Sequence, residues 1–172
     1  FEQIKPVLKD TAIVTDAGSA KLQVQQIAEQ VFAEAAERFV AGHPIAGTEN
    51  SGPQAAFAEL YQQRRVILTP TENTRKSAIE QVTAMWQAVG ANVETMGAAH
   101  HDKVLAATSH LPHALAYALV DCLQSMDDID EVFRFAASGF RDISRIASSD
   151  PVMWRDTFLQ NREQILEMLQ RY

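Results

Sequence analysis

His43 is the side chain in this sequence best suited to move a proton. It lies in the stretch Gly42-His43-Pro44-Ile45-Ala46-Gly47-Thr48-Glu49-Asn50-Ser51-Gly52. An imidazole titrates near neutral pH, so it can take a proton from a hydroxyl and release it again. Pro44 fixes one backbone angle and biases His43 towards an extended conformation. The three glycines permit a tight turn or a close approach to a ligand. Phe39 and Val40 lead in as a short apolar run, which predicts a strand over 37–41 with His43 just past its carboxyl end, where open α/β sheets place their ligand crevice. On spacing alone, a loop histidine bonded to backbone is the competing reading.

Three other places could do chemistry. Asp16-Ala17-Gly18-Ser19 follows the β-type run 11–15 and precedes a helical pattern. Strand, small-residue turn and helix together point backbone N–H groups at an anion; turn plus helix cap, with Ser19 as the cap, is the plainer reading. Lys21, on a first helical turn, reads as solvated. Further on, at about 100° per residue, Asp102, Ser109 and His113 fall within about 40° of one another on a helix wheel. That face is either a polar seam between helices or a pocket wall, and Pro112 should kink the helix beside it. Finally, Arg141, Arg145 and Ser149 recur at fours on one face. Such a stripe is a solvated surface or an anion site, since a guanidinium offers a planar fork to a carboxylate.

His43 to Glu49 with Ser51-Gly52, Asp16 to Lys21, His101-Asp102, Ser109 to His113, and the run Gly139 to Trp154 occur in that order. Together they resemble the signature segments of prephenate and arogenate (cyclohexadienyl) dehydrogenases, over nearly the whole chain. The resemblance implies oxidative decarboxylation of prephenate or arogenate with hydride transfer to NAD or NADP, in tyrosine biosynthesis. It implies His43 as the catalytic base and Ser19 as the group that orients the reacting hydroxyl. Gly18 and Ser19 would lie against the nicotinamide. Arg145 would bind a substrate carboxylate, with Arg141 a secondary cation. His113 and Ser109 would line the pocket, and Thr48 and Glu49 would shape or gate its mouth. A homodimer through the helical part is expected.

The elements that must position these groups change character along the chain. A helix ends in 2–9, and strands are expected over 11–15, 37–41, 64–69 and 91–96. Helices are expected over 19–33, 53–62 and 74–88, the last capped by Thr71 or Asn73 and closed by Gly90. Trp86 falls on the apolar stripe and reads as core. After Gly97 the pattern is helical, over 98–125, 129–147 with a possible bend at Gly139, and 151–170. Asp150-Pro151 starts the last helix, in which Trp154 reads as core or subunit interface. The fold class is therefore α/β followed by all-α: the later half of a Rossmann-like doubly wound domain over 1–97, then a helical substrate-binding and dimerisation domain over 98–172.

Composition sets limits. The net charge of −7 argues against non-specific nucleic-acid binding. Cys122 is the only cysteine, so no internal disulfide or cysteine-based zinc site can form. The histidines show no convincing ligand set, so no metal is expected. The apolar runs are too short to span a membrane and the start is no signal peptide, so a cytoplasmic location is expected. No Gly-x-Gly-x-x-Gly occurs in the chain. The resemblance implies that this dinucleotide fingerprint lies upstream of Phe1, and the chain reads as a fragment. The alternative reading of the chain by itself is a catalytically silent dimerisation and substrate-binding module.

Overall fold

The computed structural model describes residues 1–48, 50 and 52–172. They divide into two units, Phe1–Ala46 with Ala56–Lys103 and Gly47–Ala55 with Val104–Tyr172.

In the first unit, β1 (Val14–Thr15) leads through α1 (Leu22–Phe32) to β2 (Phe39–Val40) and, one residue on, β3 (Gly42–Pro44). Then come β4 (Arg65–Leu68), α2 (Lys76–Ala88) and β5 (Asn92–Thr95). β1 pairs with β2, and β4 with β5, in parallel; β3 pairs with β4 antiparallel, with His43 opposite Ile67. The largely parallel sheet expected is instead two small sheets, β1–β2 and β3–β4–β5, with the pairing parallel except at β3–β4. The cause lies in the connections. Parallel neighbours need a crossover, usually a helix. α1 and α2 supply one each, whereas the described residues of 45–64 contain only the single 3-10 turn Pro53–Ala55. The helix expected over 53–62 does not form; Phe57 there stays exposed, and so short a helix has no face to bury. The N-terminal segment likewise holds only a 3-10 turn, Lys5–Val7, around Pro6.

Side chains alternate along a strand, and this strand uses both faces. Phe39 and Ala41 pack with Ala28 and Phe32 of α1. Val40, between them, packs with Val66, Leu68 and the Ala78, Val82 and Trp86 stripe of α2. Trp86 is therefore core, as its spacing suggests. Gly90 ends α2 with φ +84, and a Cβ there would meet Gln62 at 3.2 Å. Neither Thr71 nor Asn73 caps α2: its first position follows Arg75 with no side-chain cap, and Thr74 Oγ1 instead accepts from Thr71 N at 2.9 Å.

α3 (Ala98–Leu105) contains the division between the units. The expected helix over 98–125 is interrupted by a π-helical turn, Ala106–His110, before α4 (Leu111–Gln124). Pro112 lacks an N–H and crowds the preceding turn, and a wider turn relieves both faults. The second unit continues with α5 (Ile129–Arg134), α6 (Ser138–Ala147), α7 (Pro151–Gln160) and α8 (Arg162–Arg171). The single helix expected over 129–147 is two, parting ahead of the weak helix formers Ser138 and Gly139. That over 151–170 parts at Asn161, whose side chain turns to His110 at 3.0 Å. α7 starts as expected, with Asp150 Oδ1 accepting from Val152 N and Met153 N at 2.8 and 3.0 Å. No helix among the described residues is long and apolar enough to cross a membrane.

Candidate active site

The N-terminus of α1 gathers the first unit's polar side chains. Its first N–H groups have no partner within the helix and must find one elsewhere. Ser19, the expected cap, does not supply it; its half-buried hydroxyl makes no hydrogen bond among the described residues. The cap is Asp102, from α3: Oδ1 accepts from Lys21 N at 2.8 Å and Oδ2 from Leu22 N at 2.9 Å. The turn does point N–H groups at an anion, but the anion is the chain's own carboxylate. Burial pushes the Asp102 pKa up. Hydrogen bonds from His101, Leu22 N and Lys21 N outweigh that and hold it below the usual carboxylate range. Asp102 is thus an ionised carboxylate at the positive end of a helix.

Lys21 is fully buried, not solvated. Its ammonium pairs with Asp16 and donates to the Gly42 carbonyl at 2.7 Å. Asp16 in turn accepts from Gly42 N at 3.0 Å and Gly18 N at 2.9 Å. Both polar groups of the Gly42 residue are therefore gripped, immediately before His43. Glycine suits position 42, where a Cβ would lie a tight 3.2 Å from the Asp16 carbonyl oxygen and from Leu68. Burial draws the Lys21 pKa below its ordinary value, against the opposing pull of Asp16. Lys21→Met should leave Asp16 without its cation and cost about 3 kcal/mol, the lower end for a broken buried pair because Asp16 keeps some solvent contact. A lowered urea midpoint with unchanged slope is the expected result; an unchanged midpoint would show that the clamp carries no stability.

His43 lies inside β3, not beyond a strand end. Its Nδ1 stands 2.9 Å from His101 Nε2, and His101 Nδ1 stands 2.8 Å from Asp102 Oδ1. The two imidazoles meet edge to face, 5.1 Å between centroids, and His101 is wholly buried. The sequence shows His101-Asp102 as a motif and sets Asp102 on a face with Ser109 and His113, but gives His101 no place in the site. Asp16 and Lys21, five apart across a turn, were the other signal available.

The second unit holds the remaining candidates. Asp102 is engaged at the N-terminus of α1 in the first unit, and the uniform 100° step on which a shared face was drawn does not run through the π turn. Ser109 and His113 do meet, His113 Nδ1–H donating to the Ser109 carbonyl at 2.9 Å. The His113 ring stacks on Trp154, centroids 3.6 Å apart and planes 18° from parallel. Burial lowers the His113 pKa, against that hydrogen bond, and so favours neutral imidazole. Trp154 is buried, as a core residue should be. Arg141 and Arg145 are exposed on α6, and neither guanidinium has an ion-pair or hydrogen-bond partner among the described residues. Thr48 is exposed and takes a long hydrogen bond from Asn50 N, 3.3 Å. Glu49 lies outside the described residues.

Comparison with known proteins decides the family. The model of the prephenate dehydrogenase nucleotide-binding domain matches residues 1–95, and that of the prephenate dehydrogenase dimerization domain matches residues 97–172. The chain belongs to the prephenate dehydrogenase family. A cyclohexadienyl dehydrogenase of Zymomonas mobilis is 40% identical over 97% of this chain and 57% of its own length. Prephenate dehydrogenase from Aquifex aeolicus, solved with hydroxyphenyl propionate and NAD+, is 43% identical with a TM-score of 0.90, over 98% of this chain and 58% of that one. Synechocystis arogenate dehydrogenase is 32% identical with a TM-score of 0.79, over 99% of this chain and 61% of that one. The chain thus spans about three fifths of the length of these relatives. Its fold is the family's: a Rossmann-like nucleotide-binding part, then a helical part.

Gly18 is exposed, and beside it the Ser19 hydroxyl has no hydrogen bond among the described residues, so these two could lie against the nicotinamide ring of a dinucleotide. The diphosphate cannot use the N-terminus of α1, which Asp102 already fills.

Proposed function

We propose that this chain carries the reacting residues of an enzyme that oxidatively decarboxylates prephenate or arogenate. NAD or NADP, when bound, would supply the hydride acceptor. His43 takes the proton of the ring hydroxyl on Nε2. Ser19 orients that hydroxyl. Arg145 holds a substrate carboxylate and so sets the ring. Arg141 adds positive charge one turn away, His113 and Ser109 line the pocket, and Thr48 with Glu49 shape its mouth. Loss of the ring carboxylate as carbon dioxide makes the ring aromatic, so the thermodynamic drive lies in the substrate. The protein has mainly to position and polarise.

The observation that supports this reading is the ordered set Asp102, His101, His43 at 2.8 and 2.9 Å, which holds the His43 ring through its Nδ1. The test is the full-length protein, with carbon dioxide release and cofactor reduction followed together on prephenate and on arogenate. Equal yields of both products on one substrate are expected, and reduction without decarboxylation would refute the reading.

A homodimer through the helical unit is part of the proposal. Leu119, Ile143, Val152, Met153 and Leu159 are exposed there, an apolar surface suited to a second copy. We place the enzyme in the cytoplasm. A second reading, that the 172 residues alone form a silent dimerisation and substrate-binding module, is favoured by the missing glycine fingerprint. Titrating this chain with a nicotinamide dinucleotide separates the two, since saturable binding rules out the silent module.

A further inference from the structure

We propose that His101 and Asp102 are positioning residues for the base: they set His43 in the tautomer whose lone pair is on Nε2, and they anchor that setting to the N-terminus of α1. The inference rests on His43 acting as the base in the reaction proposed above.

The direction of each link follows from the one before. A carboxylate accepts and cannot donate. Asp102 receives N–H groups from Lys21 and Leu22 on its two oxygens, at 2.8 and 2.9 Å, and so stays an acceptor. The contact of 2.8 Å to His101 Nδ1 must therefore be donated by His101. With its proton on Nδ1, neutral His101 presents a lone pair at Nε2. The contact of 2.9 Å to His43 Nδ1 must then be donated by His43. A neutral imidazole has one N–H, so Nε2 of His43 bears the lone pair. The helix end thus dictates which nitrogen of the base is basic. The backbone on the other side is fixed independently, by Lys21 and Asp16 on Gly42. Arranged so, Asp102 keeps its charge while the base accepts a proton, and the imidazolium formed at His43 remains hydrogen-bonded to His101.

The test compares two variants of the full-length protein. His101→Phe fills the ring's place but offers no acceptor to His43 Nδ1–H. His101→Gln carries an acceptor oxygen near the position of the lost Nε2. His101→Phe should lower kcat by about 10- to 100-fold, as loss of a supporting hydrogen bond does, with KM changed less than about twofold. His101→Gln should recover at least about a third of the loss on a logarithmic scale. The independent readout is the 15N spectrum of the His43 ring at about pH 8, above the ordinary imidazole pKa of about 6.5. Nδ1 should be the protonated nitrogen in the parent, and the Nε2–H form should grow in His101→Phe and recede in His101→Gln. A parent spectrum with Nε2 protonated, or equal kcat in the two variants, overturns the proposal. If the full-length protein has no activity on either substrate, the function proposed above fails, and the 15N spectra of parent and His101→Gln still decide the tautomer. They decide it equally if His101→Phe does not fold.

Discussion

Replacing His43 by Asn is expected to lower kcat by about 10²- to 10⁴-fold, the usual contribution of a positioned general base. KM should change by less than about threefold. The substitution is chosen for what it keeps. The Asn amide can still donate from near the Nδ1 position to His101 Nε2, so the contact seen at 2.9 Å has a replacement. β3 should also survive, because its pairing to β4 and the grip of Lys21 and Asp16 involve backbone groups. What disappears is the basic nitrogen. Steady-state kinetics of the full-length enzyme decide the matter: a variant turning over within about tenfold of the parent removes His43 from the chemistry.

Arg145→Ala is expected to act on binding instead. Arg145 and Arg141 stand one turn apart on α6, exposed, with no carboxylate partner among the described residues. A guanidinium without an internal anion is suited to an external one. Losing a charge-assisted pair costs about 1.5–3 kcal/mol, so KM should rise about 10- to 100-fold with kcat affected far less. Arg145→Lys should recover only part, because an ammonium lacks the two-pronged fork. Arg141→Ala should have the smaller effect of the two. An unchanged KM in Arg145→Ala refutes the carboxylate role.

What sequence shows of such a site depends on how far apart the partners are in the chain. The Arg65–Leu68 strand and the Lys76–Ala88 helix are legible because their signals are local: β-branched residues stopped by Pro70, then an apolar stripe of helical period. Ser19 looks like a cap because a serine ahead of a periodic run usually is one. Nothing nearby announces that the carboxylate of Asp102 arrives instead, from 81 residues beyond Lys21. Lys21 has the same history. Its pairing with Asp16 is short-range and readable, but its burial depends on the Gly42 carbonyl, which pattern cannot place. His43 is singled out by the loop that carries it, while His101 is visible only as half of a motif. A helix wheel gives His101 no role, since its partner lies on a strand 58 residues earlier.

The π turn at Ala106–His110 bears on how relatives of this chain should be aligned. One residue more than a regular turn needs is stored there, so a gap of a single position in this segment is a change of phase and not a neutral loss. Closing it would rotate the start of α4 by about 100°. The imidazole of His113 would come off the indole of Trp154, although every residue of that pair were still present. An insertion or deletion falling between Leu105 and Leu111 is thus worth more in predicting altered behaviour than most substitutions in the same helix.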